Sequence, residues 1–99
     1  MEDKTRLTDG QVNEYLKELK GWQREFKCIT KRYYLEDWGQ ITEFIKHIGK
    51  VIEETNHHPD IIFHTSTKTI TISTTTHSEG GLTKADIELA QKLEEFFRR

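Results

Sequence analysis

The sequence predicts an α+β domain in which three helices cover one four-stranded antiparallel sheet. Three observations carry this. Helix-like and strand-like segments follow one another in the order α-β-β-α-β-β-α. The strand-like segments form two close pairs with short connections between their members, and the 99 residues show no linker and no repeat. Residues 1–99 are therefore read as a single domain, an antiparallel sheet with helices packed against it.

Each element has a local cause. "TDGQ" sets Gln11 three residues after Thr8, the spacing of a capping box, and Val12, Tyr15, Leu16 and Leu19 follow at helical intervals up to Gly21. "WQREFKCITKRYYL" is rich in aromatic and β-branched residues and reads as two strands turning near Lys27. A longer helix is expected from about Glu36 to Asn56, with Trp38, Ile41, Phe44, Ile45, Ile48, Val51 and Ile52 on one apolar face. Glu36 and Asp37 suit the positive end of its dipole, and Pro59 stops it just before two adjacent histidines. "DIIFHTS" and "KTITISTTTH" read as the second strand pair. "TKAD", Thr83 to Asp86, opens a last helix that buries Ile87, Ala90, Leu93 and Phe97.

Composition narrows the function classes. The chain has 15 basic and 17 acidic residues and a net charge of −2, which argues against nucleic-acid binding driven by overall charge. A single cysteine, Cys28, excludes an internal disulfide and fits a reducing cytoplasm. The polar "MEDKTRLTDG" lacks a signal core, and no apolar run approaches membrane-spanning length. A soluble, cytoplasmic protein is expected. With 33% hydrophobic and 32% charged residues the core is thin, so further burial between subunits, in a homodimer or homotetramer, is expected as well.

The chemistry points to "ETNHHPD". If the last hairpin turns about Thr67 and Lys68, His58 faces His77, and "HHP" and "TTTH" meet at one end of the sheet. Glu53, one helical turn before His57, can reach it, and Asp60 follows Pro59 at the strand entrance. Imidazoles with ordinary pKa near 6.5 serve as acid and base near neutrality, and a neighbouring carboxylate orients them. Other residues have plainer readings. His47 should face solvent, His64 is an ordinary strand residue, Trp22 and Trp38 are core anchors, and Thr65, Thr67, Thr69 and Thr71 form a solvated face or edge. A zinc site of His57, His58 and His77 matches a three-histidine pattern, but adjacent side chains diverge in extended backbone.

Glu53-x-x-x-His57-His58-Pro59, then His77 in "THxxGGL" and Asp86 in "TxxD", follow "GW" at the first strand. Over nearly its whole length the chain resembles the pterin-4a-carbinolamine dehydratases, also described as dimerisation cofactors of a homeodomain transcription factor. The resemblance implies loss of water from a 4a-hydroxytetrahydropterin to give the quinonoid dihydropterin, with no metal or organic cofactor. His57 and His58 would transfer protons and His77 would meet the carbinol hydroxyl. Glu53 would orient His57, while Pro59, Asp60, Phe63 and Asp86 would support the site or the pterin. It also implies assembly through sheet edges and the long helix, and a possible protein partner on helix 36–56 as the alternative, non-catalytic role. One stretch departs from the pattern. The family carries an aromatic soon after "HHP", where this chain has Thr65 or Ser66, leaving Phe63 nearest. The segment up to His77 is also about two residues longer, which a bulge or extended hairpin absorbs.

Overall fold

Residues 3–98 are described by a computed structural model. The elements are α1 (Asp9–Leu16), β1 (Gln23–Glu25), β2 (Cys28–Tyr34), α2 (Trp38–Thr55), β3 (Asp60–His64), β4 (Thr69–Thr74) and α3 (Lys84–Glu94). Short 3₁₀ turns cover His77–Glu79 and Glu95–Arg98. The four strands form one antiparallel sheet in the order β1-β2-β4-β3, and the predicted architecture is the one observed.

The caps form as their residues require. Thr8 and Gln11 close a reciprocal box on α1, Asp37 accepts from Gln40 N at α2, and Thr83 pairs with the first turn of α3. The regular part of α1 ends at Leu16, earlier than Gly21, because the next turns tighten to i→i+3 bonds. Leu19 stays buried all the same. Ile29 and Tyr33 of β2 and Ile70 and Ile72 of β4 point to the helices, where they meet Ile41, Phe44, Ile48 and Val51 of α2 and Ile87, Ala90 and Leu93 of α3. Each such side chain contributes about 1.5–3 kcal/mol on burial. Trp22 anchors the other end of this core.

The last hairpin differs from expectation in register. Asp60 faces Ser73, where a turn about Thr67 and Lys68 would have placed Thr75 opposite it. The loop instead spans Thr65 to Lys68, with Lys68 in the left-handed region at φ 54°. The shift is two residues, one full strand period, so every side chain keeps its face. Strand pairing therefore ends before His58 and His77, which do not form a cross-strand pair.

Five side chains sit elsewhere than predicted. Trp38 is 50% exposed and Ile45 is also exposed, because the apolar arc of α2 is wider than the sheet beneath it. Trp38 packs edge-on against Phe63 of β3, with ring centroids 6.2 Å apart. Phe97 is exposed, since the 3₁₀ turn after α3 rotates Phe96 inward in its place. His47 is half-buried between Phe44 and Phe96, with Nε2 2.8 Å from Lys92 O. Thr69 is buried as well, at the loop end of β4.

Candidate active site

The site begins where α2 is forced to stop. Asn56 adopts the left-handed conformation (φ 55°, ψ 30°), which asparagine tolerates better than most residues, and Pro59 prevents any return to helix. Thr55 Oγ1 donates to Val51 O at 2.8 Å and accepts from His57 N at 3.2 Å, which fixes the exit direction. The reversal turns His57 into the protein and leaves His58 exposed.

β4 prepares a polar end for the core. Its inward face reads Ile70, Ile72, Thr74 and then, just past the strand, Thr76, so the apolar stripe becomes hydroxylic within two residues. Opposite them stands Asp86 in the first turn of α3, a carboxylate with 0% exposure. Its Oδ1 lies 2.7 Å from His57 Nε2 and accepts from Thr74 Oγ1 at 2.7 Å. Its Oδ2 accepts from Thr76 Oγ1 at 2.8 Å and from Thr83 N at 2.9 Å. Burial alone would raise the Asp86 pKa, but hydrogen bonds from His57, Thr74, Thr83 and Thr76 together hold it below the ordinary 3.8. Asp86 is thus an ionised acceptor, and His57 Nε2 carries the hydrogen between them.

His57, His58 and His77 line one recess of about 210 Å³ together with Lys4, Thr75, Thr76 and Ser78. His77 has left the sheet and opens a 3₁₀ turn closed by the Thr76–Gly81 bridge. Arg6 Nη1 donates to Glu79 O at 2.6 Å, and a Cβ on Gly81 would stand 3.1 Å from the same guanidinium, so glycine permits this close approach. A larger depression of about 490 Å³ runs between α1 and α3, but no histidine lines it. The acid–base groups converge on the smaller one. Among the described residues, no three His, Cys, Asp or Glu side chains converge as a metal site would need.

The structure sorts the residues expected here. The three histidines share the recess, and Asp86 braces it from beneath. Glu53 is exposed, while Asp86 places a carboxylate 2.7 Å from His57 Nε2, so the one-turn spacing from Glu53 to His57 did not point to this bond. The cause is the left-handed turn at Asn56, which breaks the helical geometry on which that spacing depended. Pro59 is half-buried at the bend, and Asp60 is exposed where β3 begins. Phe63 lies along β3 against Trp38, outside the lining of the recess. Thr74 and Thr76 were missed; the signal was the inward phase set by Ile70 and Ile72, continued by two residues of the same period.

The model of the Pterin 4 alpha carbinolamine dehydratase family matches residues 5–96. The chain belongs to that family. A Roseiflexus protein provisionally named a pterin-4-alpha-carbinolamine dehydratase is 36% identical over 91 residues, 92% of this chain and 96% of its own. One from Sulfurisphaera tokodaii with the same provisional name is 31% identical over 90 residues, 91% and 95% of the two chains. A Brucella melitensis crystal structure, described as a transcriptional coactivator/pterin dehydratase, superposes with a TM-score of 0.85 at 30% identity, covering 93% of this chain and 98% of that one. A pterin dehydratase-like protein identified as a RuBisCO assembly factor in the alpha-carboxysome shares the fold, with a TM-score of 0.60 at 22% identity over 76% and 84% of the chains.

Proposed function

We propose that this chain dehydrates a 4a-hydroxytetrahydropterin to the quinonoid dihydropterin in the cytoplasm, with histidines moving the protons. The observation that supports this most is the gathering of His57, His58 and His77 around one recess, with His57 fastened to a buried carboxylate. Hydroxide leaves poorly. The C4a–O bond therefore breaks as an acid protonates that oxygen, while a base takes a ring N–H proton whose electron pair forms the new C=N bond. The balance is one water lost. Paired acid and base groups contribute typically about 10²–10⁴-fold. In this reading His77 meets the hydroxyl, His57 and His58 handle the ring proton, and Asp86 keeps His57 in one tautomer and orientation. Family membership and the names of relatives support the reaction class. The test is stopped-flow absorbance on freshly generated 4a-hydroxytetrahydropterin, after chelation, with wild type beside His58→Ala and His77→Ala. Acceleration by wild type that both variants lose supports the assignment; a folded but inactive wild type ends it.

A second reading concerns assembly and is compatible with the first. β3 is an edge strand on which Ile61, Ile62 and Phe63 are all exposed, and Trp38 and Ile45 extend the patch onto α2. Monomers rarely leave an unpaired apolar edge open. We propose that a second copy covers it, as a homodimer or homotetramer, or that a protein partner docks there. Sedimentation of wild type and Ile62→Lys distinguishes these: self-association that the variant loses supports the first, while a monomeric wild type removes it.

A further inference from the structure

The turn between β1 and β2 carries a residue that folding alone does not favour. Glu25 pairs with Cys28, so Phe26 and Lys27 form a two-residue hairpin loop. Phe26 has φ 59°, in the left-handed region. Hairpin turns with positive φ at the first central position normally place glycine there, and a bulky residue with such a φ is a genuine outlier. Phe26 gains no burial in exchange, for it is 86% exposed. An aromatic that is both strained and solvated contributes little to stability, and backbone strain of this kind concentrates where a ligand is handled.

The position of the turn says which ligand. β2 pairs with β4 up to Ile29↔Thr74, and the next residue, Thr75, donates from Oγ1 to Lys27 O at 2.7 Å. Thr75 also lines the histidine recess. The loop is therefore latched to the wall of the site: the register continues to Cys28 opposite Thr75, roughly 4.5–5.5 Å between facing Cα atoms, and Phe26 stands two residues before Cys28 in the turn. Arg24 holds its other side, donating from Nε to Phe26 O at 3.2 Å while Nη1 pairs with Asp9 at 2.8 Å. The recess is lined by three imidazoles together with Lys4, Thr75, Thr76 and Ser78, and no Phe, Tyr or Trp is among them. At about 210 Å³ it is below the roughly 300–1,000 Å³ of sites that enclose a small organic ligand. A fused planar ring seated by its polar edge would keep a face in water. Phe63, the nearest aromatic by sequence, is turned to Trp38 instead.

We infer that Phe26 is a substrate-binding residue, its ring covering the open face of the pterin bound in the histidine recess. This rests on the pterin reading above. Stacking of a flat heterocycle on an aromatic side chain is sequence-tolerant and substantial, and it adds a phenyl face to those of the imidazoles. The strain at φ 59° is then retained because it holds the ring beside the site.

The experiment separates stability from binding. Phe26→Asn suits a left-handed turn and Phe26→Trp keeps a ring; both are compared with wild type in melting temperature and in equilibrium titration with 7,8-dihydropterin, which cannot be dehydrated. The expected result is an Asn variant that melts a few degrees higher yet binds the probe about tenfold more weakly, with the Trp variant binding like wild type. An Asn variant that is more stable and binds equally well overturns the role of Phe26 while leaving the pterin reading intact. A lower melting temperature with weakened binding overturns it too, since the ring is then a structural element of the turn. Failure of wild type itself to bind the probe removes the inference and the pterin reading together.

Discussion

Asp86 Oδ1 and His57 Nε2 stand 2.7 Å apart, joined across 29 residues of sequence. Both groups are buried, and the carboxylate's remaining lone pairs are met by Thr74, Thr76 and Thr83. The residue that closes the N-terminus of α3 thus also orients the imidazole under the recess, so helix capping and site geometry depend on one side chain.

Asp86→Asn should therefore damage both. The amide brings a donor into a shell built of donors, leaving one of them facing another N–H. The expected loss of stability is about 2–4 kcal/mol, from charge-assisted hydrogen bonds and the cap. Urea denaturation measures it. Dehydration by the variant should fall by about two orders of magnitude even at temperatures where it is fully folded; an unchanged rate would detach Asp86 from the chemistry.

Stability should depend on acid in a defined way. The folded-state pKa of Asp86 lies below 3.8, so below about that pH the unfolded chain takes up a proton that the folded chain refuses. The stabilisation is present above pH 4 and is lost as pH falls through the folded pKa. Urea midpoints between pH 2 and 6 should fall on the acid side for wild type, and more shallowly for Asp86→Asn. Parallel profiles would mean that other carboxylates control acid unfolding.

Thr74→Val keeps the β-branch but removes a donor from Oδ1. The variant should lose about 1–3 kcal/mol. Without that hydrogen bond the folded-state pKa of Asp86 should rise, so the acid limb of unfolding moves to higher pH. Thr74→Ser should restore the wild-type limb. A less stable variant with an unmoved limb would make Thr74 a packing residue only.

At the opposite end of α3, Glu94 Oε2 accepts from Trp22 Nε1 at 3.3 Å, from Lys31 Nζ at 2.9 Å and from Tyr33 OH. Burial, then the hydrogen bond to Glu94 and its charge, push the Tyr33 pKa far above 10. The unfolded chain loses that proton first, so this contribution is complete below pH 10 and declines as pH rises beyond it. Absorbance at 295 nm should show one of the three tyrosines ionising only together with unfolding. Smooth titration of all three before any loss of helicity would place Tyr33 in contact with water.

Much of this was readable from local pattern. Capping boxes at Thr8 and Thr83, the apolar stripe of α2 and the proline after the histidines are short-range signals, and each produced the element it implied. The gathering of His57, His58 and His77 also survived an error of two residues in the hairpin register, because a shift of one whole strand period leaves faces and ends in place. Glu53 shows where such reasoning stops. Its spacing to His57 presumed a continuing helix, and the left-handed turn at Asn56 removed that premise.

The sequence alone determined the order of elements, the inward faces and the end of the sheet where the histidines meet, since these follow from periods and breaks along the chain. Only the tertiary structure decided that Asp86 holds His57. It also decided that Thr74 and Thr76 complete the carboxylate's shell and that Thr75 ties the turn carrying Phe26 to the recess. Those relationships join separate elements, and their distances follow from how α3, β4 and the β1–β2 turn pack, which no spacing within one segment encodes.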